Sequence, residues 1–460
     1  MKKSRPATAS RLFSPRATLA ALGLKLRSLG LFEVIAGHVR IRQKAIKDTP
    51  IEKLQDAFIA ILSGAHGLCE LNTRVRPDKA LQRAFGRQRC AEQSVVQETL
   101  SSCTEKNVIE MQAAVAELFR AHSAAYRHDY DAGFQVLDAD LSGLPCGKRA
   151  EQALKGYFSQ PRARYGRQLG RVVAAHYGEV VVDELYPGNV HLSTTLPHLI
   201  EEAERTLLLD QARRQRTVLR VDAGGGSANG INWLLRRGYH VHCKDISSRR
   251  AANFAIGVGE WYDDPRRPGR QLGWALVKDT SYVRPVRRVA LRWKKKNGQR
   301  CHALLISTLE PADVLRLVGR PLEQLADPQA VLAAYAELYD RRGGTVEIEL
   351  KESKQGVGLG RRNKKSFTGQ QMVVLLGALA HNVIVWAKRW LQERAPKLKK
   401  YGVPRMVRDV LQVGGQVELE GKDTVKRIVL NDASAIARHC AKSLRALLKQ
   451  EHVRVILGKT

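Results

Sequence analysis

The sequence is short of acidic residues. Its 460 residues include 45 Asp and Glu against 77 Lys and Arg, which gives a formal net charge of +32. A charge of this sign and size attracts polyanions and raises their rate of association. The composition therefore predicts a nucleic acid or an anionic lipid surface as the partner, and it says little about the fold.

Long hydrophobic runs are also lacking. No apolar stretch approaches the roughly 18 to 20 residues that a membrane-spanning helix needs. The basic start, with Lys2, Lys3 and Arg5, resembles a secretory leader only superficially, because polar residues interrupt the apolar segment after it and no clear cleavage site appears. We therefore expect a cytoplasmic protein that binds nucleic acid and no membrane.

Cysteines are few and scattered. They are seven, an odd number, and none belongs to a C-x-x-C pair, which makes a zinc site or a disulfide framework improbable. A reducing cytoplasm fits this usage, and we expect all of them to be small buried side chains. They are Cys69, Cys90, Cys103, Cys146, Cys243, Cys301 and Cys440.

The N-terminal region combines positive charge with helical periodicity. Residues 1–50 hold eleven Lys and Arg against two Asp and Glu, which is typical of a basic arm that follows phosphates, although a solvated tail has the same composition. Apolar residues then recur at helical spacing through residues 51–122. A helix-turn-helix-like DNA-binding module and an ordinary helical bundle both fit this pattern.

From Phe134 the pattern changes to strands that alternate with helices. FQVLDADLSGL and TVLRVDAGG are apolar strands that end in acids, and LPHLIEEAERTLLLDQARR is a long amphipathic helix, so we expect a mixed α/β layer. Residues 256–325 are richer in strands, with a hairpin signal at Asn297-Gly298. Helices return from Asp327. The last 60 residues are basic, with strands near VGGQVELEG and a helix at SAIARHCAKSLRALLKQ.

Two acids stand at the ends of predicted strands, Asp140 and Asp222. Acids at the ends of neighbouring strands can converge on one hard cation, such as Mg²⁺ or Mn²⁺, which prefers carboxylate oxygens. Asp138 is a rival to Asp140, because residues two apart on a strand share a face. A turn or helix-cap role is the alternative for each of these acids.

The glycine-rich segment AGGGSANG follows Asp222 and invites comparison with a phosphate-binding loop. It is neither G-x-G-x-x-G, because Asn229 takes the last glycine position, nor a Walker sequence. Simple flexibility beside a strand end explains the glycines equally well. A nucleotide-binding fold is therefore an alternative only.

A third cluster of polar residues lies in YDRRGGTVEIELKESKQG. If the segment from Thr345 is helical, Glu347 and Lys354 lie two turns apart on one face and could serve a metal and a DNA phosphate together. The alternation of Val346, Ile348 and Leu350 with polar residues favours a strand instead. On a strand Glu349 would share the face of Glu347 and compete as the ligand, and a solvated charge run is a further alternative.

These segments together resemble the DDE-type insertion-sequence transposases, in the group marked by Tyr, Arg, Glu and Lys around the last acid. Tyr339 and Arg342 match Y-x-x-R, and Glu347 with Lys354 matches E-x6-K. LDADLSGLP resembles the first-acid segment and selects Asp140, while VLRVDAGG resembles the second-acid segment. The spacing from Arg342 to Glu347 is one residue longer than the commonest form. The resemblance covers roughly residues 35–400.

The resemblance implies an α/β fold with an RNase H-like mixed sheet, interrupted by a β-rich insertion and preceded by a helical N-terminal DNA-binding domain. The implied divisions are 1–125 for the basic arm and helical DNA-binding or dimerisation region, 130–255 for the first part of the catalytic core, 256–328 for the insertion, 329–400 for the second part of the core, and 401–460 for a basic C-terminal region.

The family implies a chemistry as well. Asp140, Asp222 and Glu347 would be catalytic and hold two Mg²⁺ (or Mn²⁺) ions, which activate the attacking oxygen and stabilise the leaving one. Water nicks the element end, and the freed 3′-hydroxyl joins it to target DNA. Tyr339, Arg342 and Lys354 would position the end phosphates.

Further DNA contacts are expected outside the acids. Trp293, within the basic stretch from Arg284 to Arg300, or Trp261 could stack on a flipped base, although core packing is the alternative for both. Cutting and joining two ends implies a homodimer on double-stranded DNA that includes the terminal inverted repeats, in a bacterial cytoplasm near the nucleoid. Phosphate contacts are expected from Arg361, Arg362, Lys364 and Lys365.

Two other interpretations remain at this point. A nucleotide- or S-adenosylmethionine-dependent nucleic-acid enzyme built on VLRVDAGGGSANG predicts cofactor binding without metal-dependent cleavage. An inactive DNA-binding relative predicts binding to element ends that is indifferent to substitution of the acids.

Overall fold

A computed structural model describes residues 10–44, 47–156, 158, 164–276, 281–344, 346–421 and 423–460. The predicted basic residues at positions 1–9 and Thr345 lie outside the described residues. The chain divides into two units. Unit 1 comprises Met1–Ser123, Pro145–Ala153 and Lys351–Thr460, and unit 2 comprises Ala124–Leu144 and Leu154–Leu350.

The strands follow in chain order. They are β1 (Ser10–Ser14), β2 (Gln135–Pro145), β3 (Leu154–Lys155), β4 (Tyr165–Ala174), β5 (Glu179–Pro187), β6 (Thr217–Val221), β7 (His240–Lys244), β8 (Tyr262–Asp263), β9 (Arg270–Trp274), β10 (Arg287–Lys294), β11 (Arg300–Ser307), β12 (Gly415–Glu420), β13 (Thr424–Asn431) and β14 (Arg454–Gly458).

The α-helices also follow in chain order. They are α1 (Ala17–Ser28), α2 (Leu31–His38), α3 (Pro50–Leu62), α4 (Lys79–Ala84), α5 (Gln93–Ser101), α6 (Glu105–His122), α7 (Leu192–Leu207), α8 (Gln211–Gln215), α9 (Ala228–Arg236), α10 (Ser248–Ile256), α11 (Pro311–Val318), α12 (Pro328–Asp340), α13 (Val346–Gln355), α14 (Phe367–Gln392), α15 (Val403–Arg405) and α16 (Ala435–Leu447). Short 3₁₀ or π turns lie at Leu68–Glu70, Leu71–Val75, Leu322–Ala326, Leu359–Arg361, Pro396–Lys400 and Met406–Val410.

Unit 2 is built on a mixed sheet, which confirms the predicted α/β class. The strand order is β3-β4-β2-β6-β7-β11-β10-β9-β8, and β5 pairs with β4. Strands β2, β6 and β7 are parallel neighbours, whereas β4–β5 and β10–β11 are antiparallel pairs. The strands predicted in residues 256–325 therefore extend the sheet beyond β7, and the predicted Asn297-Gly298 turn joins β10 to β11, with Gly298 at φ +78°.

Helices cover both faces of the extended part of this sheet. Helices α11 and α12 pack on one face, where Leu272, Val289 and Leu305 belong to the same buried cluster as Leu315 and Leu332. Helix α10 covers the opposite face. Because side chains alternate between faces along a strand, β10 contributes to both layers. This arrangement fixes the C-terminal end of α12, which leads to the Tyr339–Glu347 segment.

Unit 1 contains a second sheet in the order β1-β12-β13-β14, so its two ends come from the two ends of the chain. The described residues of the predicted basic arm form β1, α1 and α2, and Leu19, Leu22 and Leu26 of α1 are buried. A solvated tail is therefore wrong for this described part, because its apolar side chains pack into a core, while the predicted contact with phosphates stays a prediction. The strand and helix predicted in the last 60 residues are confirmed as β12 and α16.

Helix α14 is the core helix of unit 1. By length and composition it could cross a membrane, so the expectation that no stretch of the sequence approaches this length is wrong, and its most apolar window is wholly buried inside the structure. It packs against α3, α5 and α6 of the same unit. Such burial is typical of a core helix, since a lipid-facing helix would present its apolar side chains outward.

No disulfide joins the cysteines in the part of the chain that the structure describes. Four of them are buried, which agrees with the prediction, but Cys69 is exposed, and Cys146 and Cys301 are half-buried. The prediction that all seven are buried is therefore wrong for these three.

Candidate functional site

Asp140 and Asp222 lie side by side where the parallel pairing of two central strands of the unit 2 sheet ends. Strands β2 and β6 are parallel, and their last paired residues are Ala139 and Val221. Each acid is the next residue of its strand, and neighbouring strands are about 4.8 Å apart. The predicted convergence of two strand-end acids is therefore found in the structure, although β2 itself continues beyond Asp140.

The glycine-rich loop after β6 serves to hold Asp222. The Oδ1 atom of Asp222 accepts hydrogen bonds from the backbone N–H groups of Gly224 (2.8 Å) and Gly225 (3.3 Å). A Cβ at Gly226 would lie 1.9 Å from the carbonyl oxygen of Lys244, so only glycine fits there. Close backbone packing therefore explains Gly226, and the N–H groups of Gly224 and Gly225 serve to hold Asp222.

Asp138 is committed to an ion pair inside the sheet. It is fully buried, and Arg220 donates to it from Nε (2.6 Å) and from Nη2 (2.7 Å). The side chain of Asp140, in contrast, is 15% exposed and can meet a ligand. The structure thus separates the two candidates that residue spacing left open.

Glu347 lies on a helix rather than a strand. The strand suggested by alternation is wrong, because α13 begins at Val346 and runs to Gln355. Val346 and Leu350, four residues apart, are both buried, whereas Ile348 between them is exposed, so the burial follows the helical period. The side chain of Glu347 is 60% exposed. Glu349 lies against the β4–β5 turn at Gly178 instead.

Arg342 bridges two of the acids. Its Nη2 atom lies 3.0 Å from Oδ2 of Asp140, and its Nη1 atom lies 3.4 Å from Oε1 of Glu347. Nη2 also donates to the carbonyl of Ala139 (3.3 Å). Burial opposes the positive charge of Arg342, but the nearby carboxylates, Asp140 first and then Asp222, raise its pKa above the ordinary value. Arg342 therefore stays charged between the acids.

The proximity of the acids also appears in the pKa of Asp140. Burial raises this pKa to about 6, the positive charge of Arg342 opposes the change, and the negative charges of Asp222 and Glu347 add to it. The pKa of Tyr339 is raised by burial, and again by Asp222 and Glu347, while Arg342 opposes the shift. Five side chains from three separate parts of the sequence thus share one electrostatic environment.

The donor types fit a hard divalent cation, because carboxylate oxygens are its preferred ligands. Among the described residues, however, no group of three His, Cys, Asp or Glu side chains forms a ready metal-ligand cluster. At this site the guanidinium of Arg342 pairs with both Asp140 and Glu347. The carboxylates therefore suit a divalent cation by their type and by their proximity around Arg342, and they do not form a preformed ligand cluster among the described residues.

A basic cavity of about 690 Å³ lies within unit 2 on the α12 side of the sheet. Its aromatic members are Trp293, which is half-buried, and Tyr339. Asp340 pairs with Arg270 (2.5 Å) and Arg267 (3.4 Å). The basic residues that line it are Lys244, Arg267, Arg270, Arg292, Lys294 and Arg300. Sequence reasoning missed Arg267 and Arg270, whose only signal was the short basic run RRPGR.

The two candidate stacking residues differ in their surroundings. Trp293 lines the cavity and packs partly against the α12 core. Trp261 packs against the α10 cluster, and the guanidinium of Arg292 lies over its ring at 4.1 Å. Of the two, Trp293 is the one that borders the cavity.

Two of the predicted phosphate contacts in unit 1 are wrong. Arg362 is buried and donates to the carbonyls of Val357 and Ala65, and burial lowers its pKa to about 10. Lys364 is buried, donates to Oε1 of Gln97, and has a pKa lowered by burial to about 8. Arg361 and Lys365 are exposed, as phosphate contacts would be.

Lys354 lies in unit 1, on the part of α13 that follows the unit boundary, and is half-buried. Its predicted role stays a prediction.

Carboxylates gathered at a sheet edge beside a basic cavity are typical of enzymes that act on nucleic-acid phosphodiesters. Comparison with known families makes the class definite. The family model described as a transposase DDE domain matches residues 131–383, more than half of the chain, and this span contains Asp140, Asp222 and Glu347. The chain therefore belongs to the DDE transposase domain family, whose members cut and rejoin DNA and generally use divalent metal ions.

No curated protein matches the sequence. Among solved structures, the chain is similar to one described as a cryo-EM structure of the piggyBac transposase synaptic complex with hairpin DNA. The sequence identity is 13%, the TM-score is 0.43, and the match covers 92% of this chain and 82% of that one. A likeness of this degree supports no conclusion about the present chain.

Proposed function

We propose that this transposase cuts insertion-sequence ends and joins them to target DNA at a site formed by Asp140, Asp222 and Glu347. The observation that carries the proposal is the meeting of these acids around Arg342: Asp140 and Asp222 follow paired positions of parallel strands, and Arg342 contacts both Asp140 and Glu347. The chain would then belong to the Tyr-Arg-Glu-Lys group of insertion-sequence transposases. Its signature residues would be Tyr339, Arg342, Glu347 and Lys354.

An RNase H-like core is the fold that suits this site. Its support is the strand order β5-β4-β2-β6-β7, in which an antiparallel pair flanks three parallel neighbours. Strands β8 to β11 would belong to the β-rich insertion between the second and third acids. The N-terminal helices, over residues 1–125, would bind DNA or a second copy of the chain.

Asp140, Asp222 and Glu347 would hold two Mg²⁺ or Mn²⁺ ions. When bound, such ions activate an attacking oxygen and stabilise a leaving one in an in-line displacement at phosphorus. Arg342 holds Asp140 and Glu347 in place and offers its charge to a DNA phosphate. Tyr339 keeps its proton, because its pKa is raised, and can therefore donate a hydrogen bond to a phosphate oxygen.

The basic cavity would receive the element end. Lys244 and Arg300 line this cavity, and their charges would meet phosphates there. Trp293 would stack on a base that has left the duplex, where aromatic stacking contributes about 1–3 kcal/mol per base. Arg361 and Lys365 would contact phosphates elsewhere on the DNA. The working form would be a homodimer on DNA in the bacterial cytoplasm, near the nucleoid, without a membrane partner.

The test is cleavage of labelled DNA that carries the inverted repeats flanking the coding sequence. Purified wild-type protein should nick it with Mg²⁺, and Asp222→Asn should bind the DNA but not nick it. Asp131→Asn, at an exposed position of the same unit, is the control and should nick normally. Cleavage that survives Asp222→Asn would contradict the proposal, as would cofactor binding without any metal-dependent cleavage.

A further inference from the structure

Two buried arginines of unit 2 contact the chain at both ends of the segment that carries Tyr339, Arg342 and Glu347. At one end, Nη1 of Arg220 donates to the carbonyl of Leu338 (2.5 Å). At the other end, Nη1 of Arg171 donates to the carbonyl of Glu349 (3.1 Å). Both arginines are essentially inaccessible to solvent, so these contacts are made in the interior of the unit.

Each guanidinium is itself fixed by a buried carboxylate. Asp138 accepts from Nε and Nη2 of Arg220 at 2.6 and 2.7 Å. Asp183 accepts from Nε and Nη2 of Arg171 at 2.6 and 2.5 Å. In both pairs the carboxylate accepts from two of the five N–H donors of the guanidinium, and Nη1 donates to a backbone carbonyl. The same arrangement, a buried arginine fixed by an aspartate and bonded to a carbonyl of the segment, thus occurs at both ends of the segment.

The segment between the two contacts needs such support. Helix α12 ends at Asp340, and its last carbonyls have no further helical partner, so a guanidinium at Leu338 satisfies one of them and suits the helix dipole. Between α12 and α13 lie Gly343 and Gly344, which add backbone freedom. Arg342 and Glu347 sit on either side of these glycines, and both must keep their places beside Asp140.

We propose that Arg220 and Arg171, held by Asp138 and Asp183, are positioning residues that clamp the Tyr339–Glu347 segment against the sheet so that Glu347 and Arg342 face Asp140 and Asp222. Their place in catalysis is indirect, since they reach the site only through the backbone they hold. This inference rests on the proposed function, because the segment is assigned there to the active site.

The test uses Arg220→Lys and Arg171→Lys in the full chain. A lysine keeps the positive charge beside the buried carboxylate, but its single nitrogen cannot reproduce the arginine fork and also reach the carbonyl. Arg237→Lys is a control for the loss of a forked pair: Arg237, whose side chain is 32% exposed, pairs with Glu204 in the same unit and makes no contact with residues 338–349 that the structure describes. The measurements are the rate of DNA nicking, DNA affinity, Mn²⁺ affinity and hydrogen–deuterium exchange.

A displaced segment should slow nicking about 10- to 100-fold, because misplacement by about 1 Å is enough for such losses. DNA affinity should stay within about twofold, Mn²⁺ should bind more weakly, and exchange should increase in peptides spanning 338–349 and not across the rest of unit 2. Arg237→Lys should leave all four quantities unchanged at the site.

Three results would overturn the inference. The first is that both variants nick DNA and exchange hydrogen at the wild-type rates, which would show that the contacts to the carbonyls of Leu338 and Glu349 do not position the segment. The second is slower nicking with hydrogen–deuterium exchange raised evenly throughout unit 2. The third is failure of both variants to fold while Arg237→Lys folds. Either of these results would show that the two arginine–aspartate pairs only stabilise the fold. If wild-type protein nicks no DNA, the proposed function fails, while exchange and Mn²⁺ binding still decide whether the clamp exists.

Discussion

Replacing Asp140 with asparagine should change how the stability of the metal-free protein depends on pH. In the folded chain the pKa of Asp140 is raised from 3.8 to about 6, first by burial and then by the charges of Asp222 and Glu347, against the opposing effect of Arg342. The folded state therefore holds this proton more tightly than the unfolded state does.

The sign and size of the effect come from proton linkage. A raised carboxyl pKa contributes stability that is fully present below pH 3.8 and is lost as the pH rises through about 6. A difference of about two pKa units corresponds to about 3 kcal/mol at roughly 1.4 kcal/mol per unit. Because asparagine does not titrate, the variant should gain about that much stability relative to wild type between pH 4 and pH 7.5.

The assay is chemical denaturation with a metal chelator present, repeated across this pH range. Asp131→Asn, at an exposed position, provides the baseline difference curve. In Asp222→Asn the pKa of Asp140 should fall, so the pH dependence should become shallower. If the difference between Asp140→Asn and wild type is flat with pH, the pKa of Asp140 is not raised in the folded chain, and its burial beside Asp222 and Glu347 is refuted.

Two further substitutions separate buried from exposed features. Arg362→Ala should lower the free energy of unfolding by about 1–3 kcal/mol, because it leaves two buried carbonyls unsatisfied, without a specific effect on the salt dependence of DNA binding. Arg361→Ala should leave the free energy of unfolding unchanged and reduce by about one the slope of log affinity for DNA against log salt concentration. A loss of stability in Arg361→Ala together with a changed salt slope in Arg362→Ala would contradict the burial of Arg362. Gly226→Ala should destabilise unit 2 by about 1–3 kcal/mol and slow nicking, because its Cβ would meet the carbonyl of Lys244 and shift the Asp222 loop. Gly259→Ala, where nothing lies within 4 Å of the new Cβ, is its control, and equal effects at both glycines would refute the packing argument.

Local patterns were sufficient to predict much of unit 2. The apolar run before Asp222 predicted the end of β6, and Asn297-Gly298 predicted a hairpin, because these features depend on neighbours in sequence. The strand end predicted at Asp140 is wrong, because β2 continues to Pro145 and only its pairing with β6 stops at Ala139. The meeting of Asp140, Asp222 and Glu347 could be expected only from family resemblance. No local rule relates residues that lie more than 80 positions apart in the chain.

Where prediction failed, tertiary packing outweighed the local signal. Val346, Ile348 and Leu350 alternate like a strand, yet burial of Val346 and Leu350 on one side stabilises a helix. Arg362 and Lys364 belong to a charge run that resembles a solvated surface, but both find partners inside unit 1. Composition could not reveal these partners, because Ala65 and Gln97 are more than 250 residues away in the chain.

The most direct test of the central claim compares Glu347 with its neighbour Glu349. Mn²⁺ added to the purified protein is followed by the electron paramagnetic resonance signal of the free ion, which decreases on binding. We expect Glu347→Gln, Asp140→Asn and Asp222→Asn each to weaken Mn²⁺ binding strongly, while Glu349→Gln binds as wild type does. Equal binding by Glu347→Gln and wild type, or loss of binding only in Glu349→Gln, would contradict a shared site of Asp140, Asp222 and Glu347.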